Sequence, residues 1–356
     1  MSARRSTSNA ASPTKPGPAE PSAASQRLAK RLGLRFVRAD ELTIARRRQG
    51  SGFGYVDRKG RRVSNKLVTR RLDRLAVPPA YVEAHYCADP RGHLQAVWRD
   101  AAGRLQYRYH NEWAKVREAG KLKRLAHLAK ALPKIRKALT RHLAAREPSR
   151  EFALAAAVEL VASSGIRAGR ESYARLNGTR GAATLLKSNV RVKDQIVALS
   201  FRGKGGKALR KEIRSPRLAN AITTLRKLSG PRLFQYRSGS GTSTVRARDI
   251  NTFLRELSGM DVSLKDLRTL AASNVALESL SRVEPAESKS RRKKQIVEAM
   301  TAAAEQLGNT PAICRKSYVP EPLVEAFEEG RLHRGAKTGR AAGPKVLVEL
   351  AAAQKV

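Results

Sequence analysis

The chain has 356 residues, which at roughly 150 residues per domain is enough for two ordinary domains and short tails. It contains 72 lysines and arginines against 30 aspartates and glutamates, so its formal net charge is +42 and its isoelectric point is near 11.3. Self-repulsion of this size opposes a compact state unless an anionic partner is bound. The charge therefore disfavours metabolic enzymes for small neutral substrates and favours a nucleic-acid partner.

The charge lies mainly in the middle of the chain. The first 30 residues carry a net charge of +4 and residues 331–356 carry +5, which leaves +33 on residues 31–330. The excess is therefore predicted to belong to the folded part of the protein rather than to basic terminal arms.

Composition also excludes several kinds of site. Hydrophobic residues make up 41% of the chain, which is enough for a core, so wholesale disorder is not expected. Cys87 and Cys314 lie far apart without a CxxC partner, which predicts reduced thiols and no structural zinc. The six histidines form no HxxxH pair, and no run of 18 apolar residues is present. We therefore expect no metal, no cofactor and no membrane span.

The first third of the chain has the pattern of β-structure. Residues 1–27 are rich in Ser, Ala, Pro and Thr, which predicts a disordered tail. Over residues 28–117, short apolar or aromatic stretches alternate with turns rich in Gly, Asp and Pro. Within this region Leu105, Tyr107 and Tyr109 recur at a period of two, which predicts a strand. We expect a small β-rich, DNA-binding N-terminal domain.

Residues 118–334 change to a helical period. Apolar residues recur every three or four positions from Leu122 to Leu143, which predicts one amphipathic helix, or two with a break at Pro133. A second helical run ends before Gly165, a suitable C-cap, and further helical runs follow residue 216.

A small sheet interrupts these helices. Apolar residues alternate at Val190 and Val192 and again over 197–201, with turns at 193–194 and 203–206. Residues 335–356 are predicted to be a C-terminal tail. The expected fold class is α+β, with a small β-rich N-terminal domain and a larger, mainly α-helical catalytic domain that contains a small β-sheet.

The residues favour one reaction that needs neither metal nor nucleotide. The chain has no GxxxxGK[ST] motif, and its Gly-rich segment 202–207 joins two strands, so it lacks the helix dipole of a phosphate-binding loop. Metal-free cleavage of a phosphodiester requires a nucleophile, fixed cations and a proton for the departing alkoxide. Tyr318, close to Arg315 and Lys316, could be an activated phenol. On its own, such a tyrosine is more often a surface residue.

Several segments together are more specific. They are 166–169 with Tyr173, 201–204, 265–269 and 308–311 with Tyr318, preceded by the N-terminal segments 76–81, 89–96 and 106–110. In this order and spacing they resemble the active-site series of type IB DNA topoisomerases, in the short poxvirus-like and bacterial branch. The resemblance spans roughly residues 35–330.

The resemblance implies a role for each matched residue. Arg167 and Arg268 would hold the scissile phosphate, since a guanidinium suits bidentate phosphate contact. Lys204, at the tip of its hairpin, would be the general acid for the 5′ oxygen. Tyr318 would attack and hold the DNA as a 3′-phosphotyrosine. Because the ester is conserved until religation, neither ATP nor metal would be required.

The same resemblance implies contacts with double-stranded DNA. Tyr173 and Lys265 would lie at the phosphate. The strand that contains Tyr107 and Tyr109 would enter the major groove with its basic neighbours Arg104 and Arg108. The two tyrosines could equally be core residues of the sheet.

One position departs from the family pattern. Many members have His where this chain has Asn309, nine residues before the tyrosine. An amide can donate a hydrogen bond to a phosphate oxygen but can neither carry charge nor transfer protons. If hydrogen bonding is the whole role, activity survives the exchange.

The expected protein is a monomeric topoisomerase of the cytoplasm, associated with the nucleoid. Its two domains would form a C-shaped clamp around the duplex, and it would relax positive and negative supercoils. A tyrosine recombinase shares this chemistry but usually has HxxR where the chain has Lys265-Asp266-Leu267-Arg268. A non-catalytic architectural DNA-binding protein would account for the charge alone. Taken singly, Arg167 could be a helix-end charge, Lys204 a solvated turn residue and Arg268 a surface residue.

Overall fold

The computed structural model describes residues 21–332 and 343–353, and these divide into two compact units. The first unit ends at Gly120 and the second begins at Lys121, where the sequence predicted a boundary at 117. The architecture is α+β, as predicted, with the β-rich part at the N-terminal end.

The first unit contains a five-stranded antiparallel sheet in the order β2-β1-β3-β4-β5. Its elements are α1 (Ala23–Arg31), β1 (Ile44–Gln49), β2 (Gly52–Val56), α2 (Lys66–Arg74), β3 (Val82–Tyr86), β4 (Leu94–Arg99) and β5 (Leu105–Tyr109). The predicted strand over 105–109 is confirmed. Helix α2 was not predicted; Asn65 caps it through bonds from the Leu67 and Val68 amides, and it buries Leu72 against the sheet.

The second unit is mainly helical. Its elements are α3 (Trp113–Leu143, which begins in the first unit), α4 (Arg150–Ser164), α5 (Glu171–Asn177), β6 (Val190–Lys193), β7 (Ile196–Arg202), β8 (Ala208–Arg214), α6 (Pro216–Arg226), β9 (Gln235–Ser238), β10 (Gly241–Thr244), α7 (Ala247–Ser258), α8 (Leu264–Ser281), α9 (Lys289–Leu307), α10 (Pro311–Ser317), α11 (Glu321–Glu328) and α12 (Gly343–Ala353). Helix α3 continues through Pro133, so the single-helix alternative is the correct one.

Helix α4 is the centre of this unit because it is apolar on every side. Nearly every residue from Phe152 to Val161 is buried, which is typical of a helix surrounded by other elements. Ser149 caps its first turn, and Gly165 ends it in the left-handed conformation predicted from the sequence. The chain therefore leaves α4 at a fixed point, two residues before Arg167.

Two small sheets accompany the helices. Strands β6, β7 and β8 form the predicted antiparallel sheet, with a turn at 194–195 where both residues have positive φ. The hairpin β9–β10 was not predicted, since Gln235–Thr244 lacks a clear alternation of apolar and polar residues.

Both predicted tails contain a helix. The composition assigned residues 23–27 to the N-terminal tail, but they belong to α1, which Ser22 caps and which packs Ala29 with Trp113 and Val116. Helix α12 lies within the predicted C-terminal tail and buries Leu347 and Leu350 in the core. Residues 1–20, 335–342 and 354–356 of the predicted tails lie outside the described residues. None of the helices in the described segments is long and apolar enough to span a bilayer.

His93 is a buried histidine of the first unit. It is 3% exposed, and its Nδ1 accepts a hydrogen bond from the Val37 amide at 3.1 Å. Its ring centroid lies 4.6 Å from that of Phe36 and 4.5 Å from that of Trp113. Burial lowers the pKa of His93 to about 4, against a smaller opposing effect of the Arg35 backbone. The imidazole is therefore neutral in the folded unit near pH 7.

Acidification is expected to destabilise the first unit before its carboxylates titrate. In the unfolded chain His93 has an ordinary pKa near 6.5 and is protonated below that pH, whereas in the folded unit it is protonated only below about pH 4. The stability is thus complete above pH 6.5 and is lost as the pH falls towards 4, by up to about 3 kcal/mol. Trp98 and Trp113, the chain's two tryptophans, lie in this unit, so their fluorescence during urea unfolding reports the loss.

The matched variant is His93→Phe, which keeps a ring but removes the Val37 acceptor. We expect it to lower the free energy of unfolding at pH 7 by about 1–3 kcal/mol and to flatten the pH dependence between 6.5 and 4. A pH dependence as steep as that of the unmodified protein would show that another group causes it.

Candidate active site

Tyr318 lies at the C-terminal cap of α10. Thr310 caps the start of this short helix and Pro311 is its first residue. At its other end the Tyr318 amide donates to the Cys314 carbonyl at 3.0 Å, while the Tyr318 carbonyl accepts from Ser273 Oγ at 3.1 Å. The backbone of Tyr318 is thus fixed on both sides, and its side chain is 8% exposed.

Arg268 on α8 is the direct partner of the Tyr318 phenol. Its Nη2 donates to Tyr318 Oη at 3.3 Å, and its Cζ lies 5.4 Å from the centroid of the ring. The side chain is only 2% exposed, and no carboxylate of the described residues forms an ion pair with it. Burial lowers the pKa of Arg268, and the neighbouring phenol opposes this effect. Its Nη1 is buried without a hydrogen-bond partner.

Arg167 and Asn309 form the second pair of the cluster. Nη2 of Arg167 donates to Oδ1 of Asn309. Asn309 follows the left-handed cap Gly308 at the end of α9, and its amide nitrogen donates to the Ala304 carbonyl at 2.9 Å. The Asn309 Nδ2 atom is buried and, like Arg268 Nη1, has no partner within hydrogen-bond geometry.

The Arg167 loop is held by close backbone contact with a second segment. The amides of Ala182 and Ala183 donate to the carbonyls of Arg167 and Ala168, both at 2.8 Å. A Cβ atom at Gly181 would lie 2.5 Å from the Arg167 carbonyl oxygen, so only glycine fits there. The segment 181–183 therefore fixes the position of the Arg167 backbone, from which the guanidinium extends.

The charges of the cluster change the acidity of the phenol. Burial of Tyr318 raises its pKa, but the charge and hydrogen bond of Arg268, the charge of Arg167 and the Asn309 side chain together outweigh burial. The net result is a pKa of Tyr318 below its ordinary value near 10. Four other tyrosines have a raised pKa, chiefly through burial: Tyr55, Tyr86, Tyr107 and Tyr109.

Lys204 is not brought into contact with this cluster. It lies in the exposed turn between β7 and β8, and no hydrogen bond or ion pair joins it to another described residue. The last residue of β7 before this turn is anchored to another segment, since the Arg180 amide donates to the Arg202 carbonyl at 2.7 Å. On β8, Lys211 Nζ donates to the Gln306 carbonyl, three residues before Asn309.

The remaining predicted DNA contacts differ in exposure. Tyr173 on α5 is 39% exposed, and Lys265 is exposed in the first turn of α8, three residues before Arg268. In the first unit, Tyr107 and Tyr109 are half-buried and pack on the core, with ring centroids 6.3 Å apart. Arg108 is exposed, with its Cζ 5.9 Å from the Trp98 ring centroid.

Arg104 is engaged with an acid of its own strand connection. Its Nε lies 2.8 Å from an oxygen of Asp100, and its side chain remains about half exposed. Such a pair leaves the guanidinium on the surface of the first unit, where it can also meet a phosphate.

Two residues of the site escaped the sequence reasoning. Ser273 is uncharged and lies among apolar positions of α8, so nothing marked it. Lys211 could have been recognised from the sequence. It lies on the same inward face of strand β8 as Leu209 and Ile213, where a lysine is unusual. The described residues contain no group of three or more His, Cys, Asp or Glu side chains that could hold a metal ion.

Comparison with known proteins agrees with this cluster. Residues 110–329 match the model of the family described as eukaryotic DNA topoisomerase I, catalytic core, and residues 52–100 match that of the bacterial DNA topoisomerase IB N-terminal domain. The chain is 33% identical over 266 residues to a protein named DNA topoisomerase 1B from Acanthamoeba polyphaga mimivirus; this region covers 72% of the chain and 79% of the relative. The chain therefore belongs to the type IB DNA topoisomerase family, whose members are enzymes that act on DNA.

Proposed function

We propose that the protein nicks and religates one strand of duplex DNA through a 3′-phosphotyrosine on Tyr318, relaxing positive and negative supercoils without ATP or metal. The observation that carries this proposal is the contact between the Tyr318 phenol and the buried Arg268 guanidinium. It combines a nucleophile of lowered pKa with a cation that forms no ion pair with a carboxylate in the part of the chain that the structure describes.

The unpartnered donors support a phosphate as the missing partner. Arg268 Nη1 and Asn309 Nδ2 are buried and make no hydrogen bond within the described residues, which is costly for donors of this kind. A non-bridging phosphate oxygen would accept from each of them. Arg167, held against Asn309, would supply the second guanidinium. An asparagine suffices at position 309, because the role proposed for it is hydrogen bonding alone.

In the cleavage step, Tyr318 loses its phenolic proton to solvent and its oxygen attacks the scissile phosphorus. The new bond joins phosphorus to Tyr318 Oη, and the bond from phosphorus to the 5′ oxygen breaks. Arg167 and Arg268 stabilise the charge that develops on the non-bridging oxygens. Lys204 donates a proton to the departing 5′ oxygen, which leaves as a hydroxyl.

Religation reverses these transfers. The 5′ hydroxyl attacks the phosphotyrosine, its proton returns to Lys204, and the bond from phosphorus to Tyr318 breaks. One ester replaces another in each direction, so no external energy source enters the cycle. Between the two steps the broken strand can pass around the intact one, which relaxes the duplex.

The other predicted residues are proposed to hold the duplex. Tyr173 and Lys265 would contact phosphates at the site. In the first unit, Arg104 and Arg108 would contact the backbone, and the exposed parts of Tyr107 and Tyr109 would meet the groove. The proposed active species is a monomer associated with the nucleoid.

Substitution of the nucleophile tests the reaction. We expect the unmodified protein to relax supercoiled plasmid in EDTA without nucleotide, and Tyr318→Phe to be at least about a thousandfold slower, because the attacking oxygen is removed. Tyr236→Phe, on β9, is the matched control and should retain activity, because Tyr236 takes no part in the hydrogen bonds that join the cluster. Relaxation by Tyr318→Phe would exclude Tyr318 as nucleophile, and recombined plasmid products would indicate a recombinase.

The acidity of Tyr318 can be measured without DNA. In an ultraviolet difference titration of the unmodified protein against Tyr318→Phe, the tyrosinate signal lost in the variant should appear below pH 10. Arg268→Gln should move that signal to higher pH, because it removes the positive charge that favours the phenolate. A Tyr318 signal at or above pH 10 in the unmodified protein would contradict the role given to Arg268.

Salt should weaken DNA binding steeply. Each phosphate contact releases counterions, so a protein with about six to ten of them loses roughly 10³–10⁵ in affinity between about 50 and 200 mM salt. The inactive Tyr318→Phe variant allows binding to a short duplex to be measured without cleavage. A salt response close to zero would mean that the +42 charge is not used to bind the backbone.

A further inference from the structure

Within residues 21–332 and 343–353, no hydrogen bond or ion pair holds the side chain of Lys204, the proposed general acid. Lys204 lies in an exposed turn with Gly203, Gly205 and Gly206 around it, and the last two have positive φ. Such a turn is conformationally permissive. A general acid must nevertheless be within hydrogen-bond reach of the leaving oxygen. The position of Lys204 therefore depends on where the strands below the turn are attached.

Each of the two strands of this hairpin is attached to a different neighbouring segment. On β7, the Arg202 carbonyl accepts from the Arg180 amide, one residue before the segment that holds Arg167. On β8, Lys211 Nζ donates to the Gln306 carbonyl at the end of α9. Lys211 pairs with Leu199 in the sheet register, three pairs from the closing pair Arg202–Ala208.

The Gln306 carbonyl, which accepts the hydrogen bond from Lys211, lies beside two segments of the site. The end of a helix leaves carbonyls without intrahelical donors, and Gln306 belongs to the last turn of α9. A Cβ atom at Gly165 would lie 3.0 Å from the same oxygen, so the chain leading to Arg167 passes directly beside it. Asn309 follows three residues later. One carbonyl thus adjoins the segments that present Arg167 and Asn309.

Burying a lysine at position 211 costs desolvation free energy, which indicates that the ammonium group has a specific role. Its side chain is half-buried, no carboxylate of the described residues pairs with it, and burial and the nearby Arg268 both lower its pKa. An apolar side chain would fill the space between Leu209 and Ile213 without these costs. What a hydrocarbon could not do is bind the Gln306 carbonyl.

We infer that Lys211 is a positioning residue, which fixes the Lys204 hairpin against the end of α9 and so places the general acid beside the phosphate site. The inference rests on the proposed function, since it requires Lys204 to be the acid. Lys211 itself touches neither the phosphate nor the leaving group in this account.

A sulfur leaving group separates this role from a merely structural one. A thiol has a pKa near 8.5, far below that of an alcohol, so a 5′-bridging sulfur departs without being protonated. Single-turnover cleavage is measured on two duplexes, with oxygen or sulfur at the same mapped cleavage position. Lys204→Ala should be slower on oxygen by about 10²–10⁴ and close to the unmodified protein on sulfur.

Lys211→Met keeps the length of the side chain and removes its donor. We expect it to slow cleavage of the oxygen duplex by about 10- to 100-fold, as a partly misplaced acid would, and to leave the sulfur duplex within about threefold of the unmodified protein. Lys211→Arg, which retains a donor, should restore most of the loss. The control is Lys193→Met, an exposed lysine at the end of β6 in the same sheet, which should behave as the unmodified protein.

The outcomes are distinct. If Lys204→Ala is rescued by sulfur but Lys211→Met is equally slow on both duplexes, Lys211 does not act through Lys204 and the inference fails alone. If sulfur does not rescue Lys204→Ala, the proposed function fails in its choice of acid.

The double variant Lys204→Ala/Lys211→Met is a second test on the oxygen duplex. It should cleave no more slowly than Lys204→Ala alone, whereas independent roles of the two lysines would multiply the losses in rate. If Lys211→Met does not fold, as judged by its melting temperature, Lys211→Gln is compared with Lys211→Arg on the same two duplexes. Equal slowing by Lys211→Gln on oxygen and sulfur would also overturn the inference.

Discussion

The burial of Arg268 beside the Tyr318 phenol is the interaction on which the rest of the site depends. A guanidinium that is 2% exposed and has no carboxylate partner among the described residues costs the fold several kcal/mol of desolvation. The phenol compensates only part of this cost, through one hydrogen bond of 3.3 Å and the face of its ring. The fold thus maintains a cation in a position where an anion is stabilising, and the same cation favours the phenolate. One residue connects the acidity of the nucleophile with the affinity for phosphate.

The rest of the second unit keeps Arg268 and Tyr318 in place although burying the guanidinium is unfavourable. Helix α4 is buried on all sides and ends at Gly165, so Arg167 leaves the core at a defined point, and the close approach of Gly181 fixes its backbone. Helix α8 supplies Arg268 and Ser273, and Ser273 binds the Tyr318 carbonyl. The cations come from separate elements, which keeps them close together without relying on a single flexible loop. Lys204 is the exception, because it lies in an exposed, glycine-rich turn and makes no contact with the other residues of the cluster.

Much of this could be predicted from the sequence because the signals were local. Alternation identified β5 and the sheet β6–β8. The period of three to four identified α3, α4 and α6 to α9, but not the short helices α5, α10 and α11. The ordered motifs identified Tyr318, Arg167, Arg268 and Asn309, which the structure brings together, while the roles assigned to them remain proposals. Helices α1 and α12 were missed because few of their residues are buried, Ala29 in α1 and Leu347 and Leu350 in α12, and composition does not register so few positions. Ser273 was missed because its partner lies 45 residues away along the chain. Lys211 faces inward on β8, which the sequence could have signalled, but its partner 95 residues away could not be foreseen.

The most direct measurement is the identity of the residue that becomes bound to DNA. A duplex interrupted just downstream of the cleavage position traps the covalent intermediate, because the short leaving strand diffuses away before religation. Proteolysis and mass spectrometry of that adduct in EDTA should find the nucleotide on the peptide that contains Tyr318, attached through its 3′ phosphate. An adduct on any other residue, or one joined through a 5′ phosphate, would contradict the account of Arg268 and Tyr318 as a single catalytic unit.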